Sequence, residues 1–233
     1  GAYAMLKQVV NDGKKDSLMQ VEQQKIYTDR YMMYAHRLPG DSLAEYGIGT
    51  YTFENGKVVE DVFFTSGSGA QNNQVELDIS QSTGGYTQVI HYPVDDQGIS
   101  YTLTEEYKTV SRPLSTPIDG AWKQTKSTYI PKTGNISVNS TPTQFKVFES
   151  GYFIWANTIQ DSASHKPLSF FGYGTFDMKG NEIIENNTHS SFAADVIGKP
   201  VTLRIQFKEN DSYTQTIVWP DGGRSVEVYQ RMK

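Results

Sequence analysis

The chain has 233 residues, and 37% of them are apolar, which is enough for a core but leaves no run of about 20 apolar residues for a membrane-spanning helix. Its formal charge is −5 and it has no basic stripe, so the composition argues against sequence-independent binding of nucleic acid. The absence of cysteine excludes disulfides, thiolate nucleophiles and cysteine-ligated zinc. With 15 tyrosines and 11 phenylalanines, the composition favours half-buried strands over helices and predicts an all-β protein.

The first half of the chain contains short strand signals separated by turn signals. Its one helix candidate is "KKDSLMQVEQQ" at residues 14–24. An aromatic strand, "KIYTDRYMMYAH", follows at residues 25–36, and "YGIGTYTFENGKVVE" at residues 46–60 contains a turn signal at Asn-Gly. We interpret "TSGSGA" at residues 65–70 as a loop, because it lacks the Gly-x-Ser-x-Gly order of a nucleophile elbow. Another strand and turn follow in "GYTQVIHYPVDD" at residues 85–96.

The second half of the chain repeats these elements in the same order. The matching stretches are "KVFESGYFIWAN" at residues 146–157, "FGYGTFDMKGNEIIE" at residues 171–185 and "SYTQTIVWPDGG" at residues 212–223. Three ordered matches at nearly constant spacing indicate a tandem repeat. We predict one domain at residues 1–110, a linker with two prolines at residues 111–119, and a second domain at residues 120–233.

Within each repeat, the strand signals predict a meander of antiparallel strands. In "PVTLRIQF" at residues 200–207, apolar and polar residues alternate, so this strand buries one face only. A sheet of seven or eight such strands must protect its edges, and closure into an up-and-down barrel does this completely. The fold class predicted for the whole chain is therefore all-β, with two small antiparallel up-and-down β-barrels in tandem.

The stretches "GAWKQT", "YFIWANT", "FFGYGTF" and "PDGGRSVEVYQRM" carry a family resemblance. The second repeat begins with Gly-x-Trp at Trp122 and ends with aromatic-x-Arg at Arg231, which resembles the lipocalin and calycin barrels. More narrowly, the chain resembles lipocalin-like domains of unknown function from Bacteroidetes. The resemblance implies that Arg231 covers Trp122 and closes one end of the second barrel. The first repeat departs from this pattern, with Tyr3 in place of the tryptophan and Thr109 in place of the arginine.

The resemblance also implies a cellular location. Proteins of this kind are exported to the periplasm or the outer-membrane surface, with a signal segment that is absent from this sequence, and a lipid anchor on that removed segment is compatible with it. Such proteins are often O-glycosylated at Asp-Ser or Asp-Thr followed by a small or apolar residue. Asp41-Ser42-Leu43 and Asp161-Ser162-Ala163 fit that pattern.

Catalytic and metal-binding patterns are weak in this sequence. The four histidines, His36, His91, His165 and His189, lie in separate segments without a partner at metal-ligand spacing, so we expect structural or surface roles and no metal site. Glu60 and Glu185 recur at equivalent places beside turns, where we expect solvated carboxylates rather than an acid/base pair. We predict neither a cofactor nor an enzyme.

Aromatic side chains are the best candidates for a binding function. The candidates are Tyr152, Trp155, Phe171, Tyr173, Tyr213 and Trp219, with Gln215, which recurs in the first repeat as Gln88. A small barrel either packs such rings solidly or leaves a ligand cavity. We predict a non-catalytic envelope or secreted protein that holds a small amphipathic or apolar ligand in one or both barrels. The alternative is an envelope interaction module with filled barrels that presents its outer surface to a protein or glycan.

Overall fold

The structure is a computed structural model, and it describes residues 1–37, 44–96, 98–162, 164–192, 194–209 and 211–233. Over these residues the chain consists of β-strands, their connections and one short 3-10 turn, Ala194–Val196, with no α-helix. This part of the chain holds no helix that is long and apolar enough to cross a membrane. The tripeptide predicted as a glycosylation site at residues 41–43 lies outside the described residues, as does residue 163 of the second tripeptide.

The chain divides into two compact units, Gly1–Arg112 and Pro113–Lys233. The first unit contains the strands β1 (Ala2–Asn11), β2 (Asp16–Met19), β3 (Glu22–Tyr27), β4 (Tyr31–Arg37), β5 (Ala44–Glu54), β6 (Lys57–Thr65), β7 (Gly69–Ser82), β8 (Gly85–His91) and β9 (Thr102–Thr109). β1 and β3 to β9 pair antiparallel in chain order, and β9 pairs back with β1. The result is a closed barrel of eight strands, with β2 as an extra strand beside the C-terminal half of β1.

The second unit repeats this topology strand for strand. Its strands are β10 (Gly120–Ile130), β11 (Ser137–Asn139), β12 (Gln144–Glu149), β13 (Tyr152–Gln160), β14 (Pro167–Lys179), β15 (Glu182–Ser190), β16 (Pro200–Lys208), β17 (Ser212–Val218) and β18 (Arg224–Arg231). β18 pairs back with β10, and β11 lies beside the C-terminal half of β10. The predicted fold class, two antiparallel barrels in tandem, is confirmed.

The helix predicted for residues 14–24 is wrong, because β2 and the start of β3 occupy this stretch. The turn before β2 explains the difference. The Asp12 carboxylate accepts hydrogen bonds from the backbone N–H groups of Lys14 and Lys15, both at 2.9 Å, and Gly13 adopts a φ of 81°. This turn directs the chain back along β1, and pairing within the sheet overrides the weak local preference for helix.

Two predictions about turns and glycines agree with the backbone. Asn55 and Gly56 have φ values of 53° and 78° between β5 and β6, which matches the tight hairpin turn predicted from Asn-Gly. The strand pairing shifts register at Gly49 in the first barrel and at Gly174 in the second. A Cβ atom at Gly174 would collide with the carbonyl oxygen of Asn186. The glycines therefore allow the barrel wall to bend where the strands come closest.

One end of the second barrel is closed by Trp122 and Arg231, which pair across β10 and β18. The Arg231 guanidinium lies 4.1 Å from the centre of the fully buried Trp122 ring, in the position that the resemblance implies. Arg231 also donates to the carbonyl oxygens of Pro117 and Asp119, at 2.8 and 2.6 Å. Ile118 lies between them and is buried in the core of this barrel. Residues 113–119 of the predicted linker thus form part of the second unit, where they cover its closed end.

The equivalent end of the first barrel is different. Tyr3 pairs with Thr109 at the place of the Trp122–Arg231 pair. An open groove of about 430 Å³ remains there, lined by Tyr3, Tyr27, Tyr51 and Tyr86 among others. Smaller side chains at these positions leave the groove, because neither an indole nor a guanidinium fills the space between the first and last strands.

Candidate binding cavity of the second barrel

The closed end of the second barrel is an apolar layer. Because alternate residues of a strand point to opposite faces, every second residue contributes to the interior. The layer contains Trp122, Phe148, Phe176, Ile205 and Tyr213, none of which is more than 4% exposed. The Trp122 ring meets Tyr213 edge to face at 4.7 Å, and Phe148 meets Phe176 in the same way at 5.1 Å. This end of the interior is solidly packed.

A layer of hydrogen-bonded polar side chains lies next to it, one inward position further along the strands. Lys146 Nζ donates to Glu185 Oε1 at 2.9 Å and to Gln215 Oε1 at 3.2 Å. Gln215 Nε2 and the Tyr229 hydroxyl then donate to Glu227 Oε2, at 3.0 and 2.6 Å. The chain of contacts crosses the barrel and satisfies Lys146, which is only 3% exposed.

The first barrel contains the same layer. Lys25 Nζ lies 2.7 Å from Glu60 Oε1 and 3.3 Å from Gln88 Oε1. Gln88 and the Tyr107 hydroxyl donate to Glu105 Oε2, at 2.5 and 2.9 Å. Each member has its counterpart at the equivalent strand position of the second barrel, so the duplication has kept a whole buried network and not only the barrel wall.

This layer overturns one expectation from the sequence. Glu60 and Glu185 were expected in solvent, but each is 4% exposed and paired with a buried lysine. A signal for it was present, because Lys25 and Lys146 occupy equivalent strand positions in the two repeats. A lysine and a glutamate that both recur inside strands indicate a buried ion pair, since neither is normally buried unless paired.

Burial has direct consequences for protonation in this layer. It raises the pKa of Glu185, and the nearby Lys146 opposes that rise without cancelling it. Burial also raises the pKa of the Tyr229 hydroxyl well above its ordinary value, and the adjacent Glu227 raises it further. Tyr229 therefore stays a neutral hydrogen-bond donor at any physiological pH.

Beyond the polar layer, the second barrel holds a cavity of about 270 Å³. Its apolar walls are Trp155, Ile159, Phe170, Phe192, Val196, Val201, Leu203, Ile217 and Trp219. Its polar lining consists of Gln144, Lys146, Asn157, Glu185, Asn187, Ser190, Gln215 and Glu227. Ile159 and Phe192 are 42% and 62% exposed, which places them at the rim. The polar layer thus forms the floor of an apolar pocket.

The structure brings three of the predicted binding residues together. Trp155, Gln215 and Trp219 line the cavity, and Trp219 Nε1 is held by the Ser225 hydroxyl at 2.9 Å. Tyr213 lies in the packed layer at the closed end instead, with its ring parallel to that of Tyr229 at 4.9 Å.

The other three candidates lie on the outer face of the barrel wall. Phe171 and Tyr173 alternate with Gly172, whose Cβ position faces the cavity residues Trp155 and Asn187, so these two rings point outward. They stack on each other at 5.7 Å. Tyr152 is also an outward residue, because it alternates with Phe153 of the inner core.

Sequence reasoning missed two kinds of cavity residue. Phe170 and Phe192 complete the aromatic wall, with their rings edge to face at 5.5 Å. Asn187 is 4% exposed, and its Oδ1 atom has no hydrogen-bond partner among the described residues. The sequence alone does not show which residues of this strand point inward. Phe170 points inward because Gly172, two residues later, faces Trp155 inside the barrel.

Comparisons with known proteins find similarity among solved structures. No protein-family model matches the chain, and no curated protein matches it. Among solved structures, the chain is similar to a protein of unknown function from the DUF3598 family of Nostoc punctiforme. The alignment covers 99% of this chain and 95% of that one, with 12% identity and a TM-score of 0.29. The resemblance to Bacteroidetes lipocalin-like domains stays a prediction.

Proposed function

We propose that the second barrel binds a small, mainly apolar molecule without transforming it. One observation carries this proposal: a cavity of about 270 Å³ lies inside the barrel, between aromatic walls and a buried polar floor. An apolar pocket with a few fixed polar groups is the usual form of a small-molecule site. The floor keeps its shape without a ligand, because Lys146 and Gln215 are hydrogen-bonded within the protein.

The alternative, an interaction module with filled barrels, has less support in the second unit. A filled barrel would bring Trp155 and Trp219 into contact with side chains from the opposite wall, whereas both border the cavity. The rim residues Phe192 and Ile159 are exposed apolar groups that suit the entrance of a ligand site. A glycan has less support than an apolar molecule, because the walls and the entrance of the cavity are mainly apolar.

Native mass spectrometry of protein purified from its own host tests the proposal, with a variant that fills the cavity. Ile217→Trp adds bulk inside the cavity, and Ile90→Trp makes the same change at the equivalent position of the first barrel. We expect a bound mass in the wild type and in Ile90→Trp, and its loss in Ile217→Trp. A bound mass that persists in a folded Ile217→Trp variant would place the ligand elsewhere and refute the proposal.

We further propose that the protein acts in the cell envelope after export, which rests on the family resemblance alone. Fractionation of the native host with an antibody against the chain tests this directly. We expect the protein in the periplasmic or outer-membrane fraction, and recovery from the cytosol would contradict the proposal.

A further inference from the structure

The charges that line the cavity of the second barrel do not balance. Among the described lining residues, Lys146 is the one cation, and Glu185 and Glu227 are two carboxylates. Lys146 is engaged by Glu185 at 2.9 Å. The groups that donate to Glu227 are the amide of Gln215 and the hydroxyl of Tyr229, both neutral. Glu227, which is half-buried, is therefore the carboxylate of this lining that has only neutral donors.

The equivalent carboxylate of the first barrel, Glu105, has one more hydrogen-bond donor. There the amide of Gln8 donates to Glu105 Oε1 at 2.7 Å, so both carboxylate oxygens have donors. Strand pairing places Gln8 opposite Glu105, and Ser127 opposite Glu227. Ser127 is shorter and makes no hydrogen bond to Glu227 among the described residues. The Oε1 atom of Glu227 is consequently left open in the second barrel.

A second acceptor has been introduced on the opposite side of the cavity. Asn187 pairs with Gly174, at the place where the first barrel has Val62 paired with Gly49. Its side chain is almost fully buried, and Oδ1 has no donor among the described residues. At these two positions, the second barrel therefore has one donor fewer and one acceptor more than the first. Asn187 Oδ1 is a buried acceptor that requires a donor, and Glu227 Oε1 is an acceptor on a half-buried side chain.

The wall around these acceptors is also more aromatic than the equivalent wall of the first barrel. Phe170 stands opposite Asn157, where the first barrel places Glu45 opposite His36. In place of the carboxylate of Glu45, which lies 3.1 Å from His36 Nε2, the second barrel has an aromatic ring. Aromatic faces attract cations within about 6 Å of the ring centre.

We propose that the ligand of the second barrel is a small organic ammonium ion with an apolar body, bound through Glu227 and Asn187. The proposal rests on the proposed function and adds its ligand class. An ammonium group places a positive charge beside Glu227 and supplies up to three N–H donors, while the apolar body lies against Trp155, Phe170 and Trp219. The cavity of about 270 Å³ corresponds to roughly nine water volumes, which suits an arylalkylamine better than a long lipid chain.

Three probes of similar shape and different charge test the ligand class: 2-phenylethylamine, 2-phenylethanol and phenylacetate, titrated calorimetrically at pH 7. We expect the amine to bind at least about tenfold more tightly than the alcohol, and the carboxylate to bind most weakly. Alcohol or carboxylate affinity equal to that of the amine would overturn the ammonium proposal and leave the binding function standing. Failure of all three probes, together with no bound mass in the native protein, would refute both.

Variants that introduce the first-barrel residue at each position test whether Glu227 and Asn187 bind the ligand. Ser127→Gln restores the donor for Glu227, and Asn187→Val removes the second acceptor. We expect each to weaken amine binding about tenfold and to leave alcohol binding within about threefold. Glu227→Gln should remove the preference for the amine altogether. Glu182→Gln removes an exposed negative charge from the same barrel and serves as the control, with unchanged binding. Amine affinity that is unaffected by Ser127→Gln and Asn187→Val, with folding checked by circular dichroism, would overturn the assignment.

Discussion

Replacement of the buried Lys146 by methionine should destabilise the second barrel far more than replacement of the whole ion pair. Lys146 and Glu185 are 3% and 4% exposed and lie 2.9 Å apart. Removal of one partner leaves the other charge buried, which costs about 3 to 5 kcal/mol, whereas replacement of both by apolar residues of similar size is often nearly neutral. We therefore expect Lys146→Met and Glu185→Leu each to cost about 3 to 5 kcal/mol, and the double variant much less than their sum.

The two single variants should also respond differently to pH. Burial already raises the Glu185 pKa, and loss of Lys146 removes the group that opposes the rise. A carboxyl whose folded-state pKa is raised is favoured by the folded state when protonated, so acidification stabilises the fold of Lys146→Met relative to the wild type. The cost of Lys146→Met should thus shrink as pH falls from 7 towards 5. Glu185→Leu leaves a buried ammonium, and its cost should not shrink in that range.

Urea unfolding followed by tryptophan fluorescence measures these differences in the second unit. All three tryptophans, Trp122, Trp155 and Trp219, lie within it, so the signal reports on this barrel. The exposed pair of Glu182 and Arg204 provides a control on the same barrel, and Arg204→Met should change the midpoint little. Additive costs in the double variant, or a cost of Lys146→Met that is the same at pH 5 and pH 7, would refute the reasoning.

Two further predictions concern the barrel ends. Trp122→Ala should cost about 3 to 5 kcal/mol as a core truncation and Arg231→Ala about 1 to 2 kcal/mol, and Tyr3→Ala in the half-filled end of the first barrel should cost less than Trp122→Ala. Thermal unfolding by circular dichroism compares them, and an equal cost for the Tyr3 and Trp122 variants would contradict the difference between the two ends. At the other end of the first barrel, the hydrogen bond from His36 lowers the pKa of Glu45. Carboxyl chemical shifts should show this pKa below its ordinary value, with a return towards that value in His36→Asn, and an unchanged Glu45 titration in the variant would rule out His36 as the cause.

The sequence predicts the barrels well because the relevant signals are local and repeated. Alternation in residues 200–207 and the Asn-Gly turn act over a few residues, and the tandem repeat tests each signal twice. The helix predicted at residues 14–24 fails for the converse reason. Its alternative is pairing of Gln8 with Met19, and such pairing between separate segments has no signature in the local sequence.

The binding site was only partly predictable, because its residues depend on which face of a strand points inward. Phe170 and Phe171 are neighbours of the same type, and a shift of one residue exchanges their roles. Gly172 decides the matter in the folded barrel, since a side chain there would collide with the Trp155 ring. From the sequence alone, the aromatic content of β14 was evident, whereas its orientation was not.

Comparison of the two barrels distinguishes residues that both share from residues that differ between them. Both contain the layer built on Lys25 or Lys146, and a slip of β12 by one residue would move Lys146 to the outer face and leave Glu185 buried without its cation. The presence of this layer in both barrels is thus explained by its role in fixing the register of the strands. The differences between Ser127 and Gln8 and between Asn187 and Val62 have no such explanation. Glu227 lacks the donor that Gln8 provides to Glu105, and Asn187 Oδ1 is buried without a donor among the described residues. Glu227 and Asn187 both line the cavity, so a ligand that donates hydrogen bonds there would account for both differences.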